Sequence, residues 1–133
     1  MFLSMLQDEK KELFLDLAIH AVNSNKNFAE EQKAVIAQYC SEMDMENIRM
    51  ETSKDLNTVL EQLLEVCTEG ETRIIAFEAL GLLLSDNTYD DMEKAFFQEI
   101  THKLKISDSL ADQMLVLIND YNNVLDRICK AVL

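Results

Sequence analysis

Arg73-Ile74-Ile75-Ala76-Phe77-Glu78-Ala79-Leu80-Gly81-Leu82-Leu83-Leu84 is the stretch that decides the fold of this chain. Wound as a helix, it is apolar on nearly every side, with Glu78 as the interruption, and such a helix has to lie inside a protein. It runs out into Ser85, Asp86, Asn87 and Thr88, a polar loop leading to a second helix that carries Tyr89, Asp90, Asp91 and Glu93. Gly81 in its interior sacrifices about 1 kcal/mol of helix stability relative to Ala, a loss that a close approach by another helix would offset.

The rest of the chain is suited to surround it. Its 133 residues are long enough for one domain with its own core. With no Pro and only two Gly, few positions are built for hairpin turns, and helix is favoured throughout. Leu13, Phe14, Leu17, Ala18, Ala21 and Val22 give a first helix ending near Asn23, and Val35, Ile36, Tyr39, Cys40 and Met43 give a second. Met43 to Lys54 reads as a connection. Thr52 with Asp55 then resembles a helix start for a third helix bearing Leu56, Val59, Leu60, Leu63, Leu64 and Cys67, which Gly70 ends. After the central helix, a fifth runs from about Asp90 to Leu104. A sixth, capped by Ser107, carries an apolar seam of Leu110, Met114, Leu117, Tyr121, Val124 and Ile128.

A constant shift of 61 positions superposes the two halves of the sequence. It puts Leu13 on Ile74, Phe14 on Ile75, Ala18 on Ala79, Val22 on Leu83, Phe28 on Tyr89, Ile36 on Phe97, Leu60 on Tyr121 and Cys67 on Ile128. The expectation is an all-α single-domain bundle of about six helices, built as two pseudo-repeated three-helix halves (7–68 and 69–131) around a buried central helix. Half the chain would be marginal alone, so both halves should share one core.

Composition narrows the function. The formal net charge of −13 opposes phosphate, which excludes ordinary nucleic-acid binding and favours cations or basic proteins as partners. No apolar run approaches the roughly 20 residues needed to span a bilayer, and Met1 to Leu6 is too short for a signal sequence. Three cysteines, Cys40, Cys67 and Cys129, form no Cys-x-x-Cys pair and read as buried thiols of a reducing cytoplasm.

The two equivalent loops read Asn25, Lys26, Asn27, Phe28, Ala29, Glu30, Glu31, Gln32 and Asp86, Asn87, Thr88, Tyr89, Asp90, Asp91, Met92, Glu93. With the duplication and the Lys103-Leu104-Lys105-Ile106-Ser107 start of the last helix, the second loop resembles the TerB-like family of tellurite-resistance and related all-helical domains. In that family a helix leads into an Asp-Gly-x-hydrophobic loop followed by a helix bearing a Glu. The resemblance implies a compact helical domain whose acidic loop binds a divalent cation, in a setting of stress response and membrane-linked complexes. Carried over, the family Asp falls on Asp86 and the Glu on Glu93. Asn87 replaces the usual Gly, and Asn25 and Gln32 replace the acids of the first half, which removes two charges a dication would favour.

If a cation binds, its ligands are Asp86, Asp90 and Glu93, with Glu30 and Glu31 as a second contribution. The same residues have a plainer use, since Asp90 with Glu93 fits a capping box and Asp86 can bond turn amides. Glu99 and His102 have the spacing of a di-iron carboxylate motif without the second pair it needs. His20, one turn beyond Asp16, suits a structural hydrogen bond. With no phosphate loop, nucleophile elbow or His-Glu-x-x-His, the chain reads as non-catalytic. Two functions follow: a TerB-like interaction or regulatory module with a weak divalent-cation site and a protein partner, or a purely structural helical interaction module. The second would work through Met43, Met45 and Met50 or the Met1 to Leu6 end.

Overall fold

A computed structural model describes residues 1–24, 30–46, 48–85 and 89–133, with Glu31 and Gln32 described by backbone alone. It is all-helical, with no strand among the described residues. After a 3-10 turn at Leu3–Met5 come α1 (Asp8–Val22), α2 (Glu30–Glu42), α3 (Leu56–Val66), α4 (Glu69–Leu83), α5 (Asp91–Lys103) and α6 (Asp108–Val132). The central stretch is α4, which packs against α1, α2, α5, α6 and the N-terminal turn. Its Ile75, Ala76, Ala79, Leu80, Leu82 and Leu83 are fully enclosed, and one core joins them to Phe14, Leu17, Ile36, Leu60, Phe97 and Ile100.

The element bounds repeat at the spacing seen in the sequence. A shift of 61 carries the ends of α1 onto those of α4, and the ends of α2 onto those of α5. Local geometry repeats with them. Asp44 and Lys105 both take left-handed backbone (φ 57° and 60°). Each closes its helix by the same pair of bonds, Asp44 N–H to Ser41 O and Met45 N–H to Cys40 O, then Lys105 N–H to His102 O and Ile106 N–H to Thr101 O. Lys10 on α1 and Glu71 on α4, equivalent positions, meet at 2.8 Å. The third helices differ: α3 has 11 residues and α6 has 25, because α6 starts early, in the part equivalent to the first half's connection.

Several sequence expectations change. Gly70 does not end α3; Cys67 turns extended there, and Gly70 lies in the first turn of α4. Thr68 opens that helix with a capping box: Glu71 N–H donates to Thr68 Oγ1 (3.2 Å) and Thr68 N–H to Glu71 Oε1 (2.9 Å). Asp55 alone caps α3, accepting Thr58 N–H at 2.7 Å, while Thr52 turns its hydroxyl to Asp16. Of the cysteines only Cys40 is buried; Cys67 is half-buried and Cys129 is exposed. Cys129 is exposed because α6 runs past the bundle, where every residue from Asn119 onward lies in solvent. The seam of α6 is divided for the same reason: Met114 and Ile118 are buried, but Leu117, Tyr121, Val124 and Ile128 are not. Of the methionines of the connection, Met43 is enclosed, and Met45 and Met50 are half-buried against the core.

Gly81 sits where two helices cross α4. A methyl group there would meet Tyr39 Oη at 3.5 Å and Ile118 Cδ1 at 3.8 Å. Tyr39, whose ring meets Phe14 edge-on, donates its hydroxyl to the carbonyl of Glu78 at 2.9 Å.

Candidate functional site

The acidic loop is the first place to look, and its described members are engaged in helix capping. Glu93 N–H donates to Asp90 Oδ1 (2.8 Å), and Asp90 N–H donates to Glu93 Oε1 (3.1 Å), so the two side chains close the N-terminus of α5 on each other. Glu93 is wholly buried; Asp90 is exposed. Asp86 and Asn87 lie outside the described residues, as do Asn25 to Ala29 of the equivalent loop. Glu30 is exposed and pairs with Lys33 at 3.2 Å, and the side chain of Glu31 is outside the description. Among the described residues no three His, Cys, Asp or Glu side chains converge as metal ligands would. Beside this loop Tyr89 stacks under Lys94 (5.8 Å), and burial, then the Glu93 carboxylate, pushes its hydroxyl pKa up to about 12.

Two buried acids that sequence reading did not raise to sites are structural anchors. Glu78, 5% exposed within the central helix, accepts Phe2 N–H at 2.7 Å and the Met1 amine at 2.9 Å. The amine also reaches Glu42 at 2.7 Å. Burial works against its charge, but the Glu42 and Glu78 carboxylates outweigh that and raise its pKa above the ordinary value. Asp16 on α1, 4% exposed, takes Arg49 Nη1 at 2.7 Å and Thr52 Oγ1 at 2.7 Å. Arg49 also reaches Glu12 at 3.1 Å and donates to the carbonyl of Glu51. His20 makes a structural bond, to the Lys54 carbonyl at 2.8 Å rather than to Asp16. The connection is thereby tied to α1. Arg49 followed by Thr52 carries no spacing signal that would have matched it with Asp16, 33 and 36 residues away in the chain.

The other candidates are dispersed. Glu99 and His102 are both exposed, and His102 Nε2 lies 3.2 Å from Asp108 on the rim of a 490 Å³ groove between α5 and α6. Burial, and after it Glu71, pushes the Cys67 thiol up to about 11, which makes it a poor nucleophile.

A second groove is almost wholly apolar. Positions 61 residues beyond Glu12, Asp16, Arg49 and Thr52 are Arg73, Phe77, Leu110 and Gln113. Where the first half lines this place with ion-paired side chains around a polar groove of about 330 Å³, the second lines it with apolar ones around a groove of about 410 Å³. Phe2, Ile74 and Phe77 form one wall, with Phe2 edge-on to Phe77 at 6.5 Å. Leu110, Met114, Leu117 and Tyr121 of α6 form the other. The same face of α6 continues beyond the bundle through Val124, Leu125, Ile128 and Val132, each 45–74% exposed.

The fold and these places define a six-helix all-α bundle whose described ionic clusters brace the architecture and whose open feature is the apolar face of α6. Compared with known proteins, the chain matches no family model, no curated protein and no solved structure. No described helix is long and apolar enough to cross a membrane.

Proposed function

We propose that this chain is a non-catalytic interaction or regulatory domain of TerB-like type, working by presenting the apolar face of α6 to another protein surface. The observation that carries the reading is the run Leu117, Tyr121, Val124, Leu125, Ile128 and Val132, six large apolar side chains on one helical face, each about half-exposed or more. Contiguous apolar surface of this kind mostly marks interaction sites in proteins that otherwise stay in water. The groove beside Phe2 and Phe77 lengthens it. The resemblance supplies the context in which to look: a cytoplasmic stress response, with tellurite handling as its first case.

The cation reading, with Asp86, Asp90 and Glu93 as ligands, draws less support, because Asp90 and Glu93 each already accept a backbone N–H of α5. A thermal shift with millimolar magnesium, calcium, manganese or zinc that disappears in Asp86→Asn would restore it.

A photo-crosslinking residue at Val124, compared with one at Asn119 on the opposite side of the same helix, tests the favoured reading in cells. Protein adducts should form from position 124 and not from 119. Equal labelling at both, or none at 124, overturns it.

A further inference from the structure

We infer that the surface received by α6 is the α6 of a second copy of this chain, laid antiparallel about a two-fold axis near Asn122 and Asn123. The inference rests on the reading of α6 as a docking face and adds the identity of the occupant.

The face has the seven-residue repeat of a helix-pairing seam. Leu110, Met114, Leu117, Tyr121, Val124, Ile128 and Ala131 fall at alternate spacings of four and three, which keeps one stripe toward a partner helix. In an antiparallel self-pair, positions whose numbers total 245 face each other. Tyr121 then meets Val124 of the other copy and Leu117 meets Ile128, while Ala131 comes over the groove beside the buried Met114. Tyr121 is thereby set against the smaller Val124 and Leu117 against Ile128, its equal in volume, and the dyad repeats every layer.

Charge picks the same register. Asp120 and Arg127 flank the stripe on one side, both exposed, and neither enters an ion pair among the described residues. Beside the seam, positions on the same flank pair two residues off the layer register, at a total of 247, which brings Asp120 of each copy beside Arg127 of the other, twice by symmetry. A parallel pair would set Asp120 against Leu125 and Arg127 against Val132, which is unfavourable for the charges. The long-range term permits the approach as well. The chain carries −13, yet residues 113–133 hold only Asp120, Asp126, Arg127 and Lys130 and are formally neutral.

The groove completes the contact. A stable pair buries roughly 800 Å² on each partner, more than a bare helix stripe provides. Antiparallel overlap sets the turn Ile128 to Val132 of one copy beside Gln113 to Leu117 of the other, on the side where Phe2, Ile74 and Phe77 form the facing wall. The place that the first half keeps polar with Asp16 and Arg49 is apolar in the second half, and there the neighbour's helix end covers it.

The experiment is sedimentation equilibrium on the full chain, wild type and charge-reversed. Wild type should sediment at twice 15.3 kDa. Asp120→Arg or Arg127→Asp alone should weaken association by about tenfold or more, since each sets like charges together at two places. The double variant, with both reversals, should return to near the wild-type constant. Both positions are exposed, so helicity by circular dichroism should not change in any variant. A wild-type monomer at the highest soluble concentration overturns the self-pair; so does a dimer indifferent to the single reversals, which would have another register. Adducts to other proteins from position 124 in a monomeric chain would sink the self-pair and leave the interaction-domain reading standing. No adducts and no dimer would end both.

Discussion

At the scale of single residues, two positions show how far chemistry can be read without coordinates. Gly81 costs helix stability, and the crossing of Tyr39 and Ile118 over it accounts for its small size. The contacts of 3.5 and 3.8 Å leave room for a methyl group and nothing beyond it. Gly81→Ala should therefore stabilise the protein by about 0.5 to 1 kcal/mol. Gly81→Leu should destabilise it by about 1 to 3 kcal/mol through overpacking, both read from urea midpoints; destabilisation by Ala would mean that Tyr39 and Ile118 leave no room for a methyl group. Asp16 is the opposite kind of position, a buried charge inside an otherwise apolar run of α1. Asp16→Ala strips Arg49 and Thr52 of their acceptor at once and should cost about 2 to 3 kcal/mol, below the full value for a buried pair because Arg49 remains partly in water. The double variant Asp16→Leu with Arg49→Leu imitates the second half, which has Phe77 and Leu110 in these places, and should recover more than half of that loss. Equal loss in single and double variants would show that the ion pair itself, rather than the avoidance of a stranded charge, holds the connection.

Elements were more legible than their surroundings. The periodicity of Leu13 to Val22 and of Ile75 to Leu83 places α1 and α4 because burial on several sides leaves an apolar record at nearly every turn. Asp90 and Ser107 are legible as helix starts, since a short polar acceptor before an apolar run has few other uses, whereas the start of α3 is read three residues early, at Thr52 in place of Asp55. The end of α3 was misassigned, because Gly70 suits a helix stop equally well and only the extended backbone of Cys67 decides otherwise. The acidic loop was visible as acids, but capping and cation binding ask for the same residues at the same spacing. The hardest element to read is α6, whose stripe is continuous in sequence while its burial stops at Ile118. Periodicity records which face is apolar and carries no information about where the neighbouring helices end. Ile118 and Ile128, 7% and 52% exposed on one helix, make the distinction measurable. Ile118→Ala should cost about 2 to 5 kcal/mol of unfolding free energy, whereas Ile128→Ala in dilute protein should stay within about 0.5 kcal/mol. Similar losses at both positions would place the outer half of α6 against the bundle.

Across the whole molecule, electrostatics sets the conditions under which the bundle is most stable. Hydrogen bonding from Lys10 lowers the Glu71 pKa below its ordinary 4.5, so that pair adds stability above that pH and loses it as pH falls through the folded value. The Met1 amine runs the other way. Its pKa is raised above 8.0, so its contribution is complete below that pH and is lost as pH rises through the folded value. Unfolding midpoints should accordingly hold level between these limits, and Glu71→Gln, which keeps a capping side chain for α4, should soften the acid limb alone. Superimposed on both is the self-repulsion of 13 uncompensated negative charges, which lie outside residues 113–133. Screening lengths fall from about 30 Å at 0.01 M salt to about 3 Å at 1 M, so sodium chloride should quench that repulsion. The same salt weakens the exposed pairs such as Lys33 with Glu30 and Lys130 with Asp126, but pairs of that kind are worth little to begin with. The Asp16 cluster is sheltered from it by burial. The balance predicts a midpoint that climbs with salt, by about 3 to 6 °C for each kcal/mol of repulsion removed in a chain of this size. A midpoint that falls instead would mean that specific ion pairs, and not the acidic excess, dominate the electrostatics of this fold.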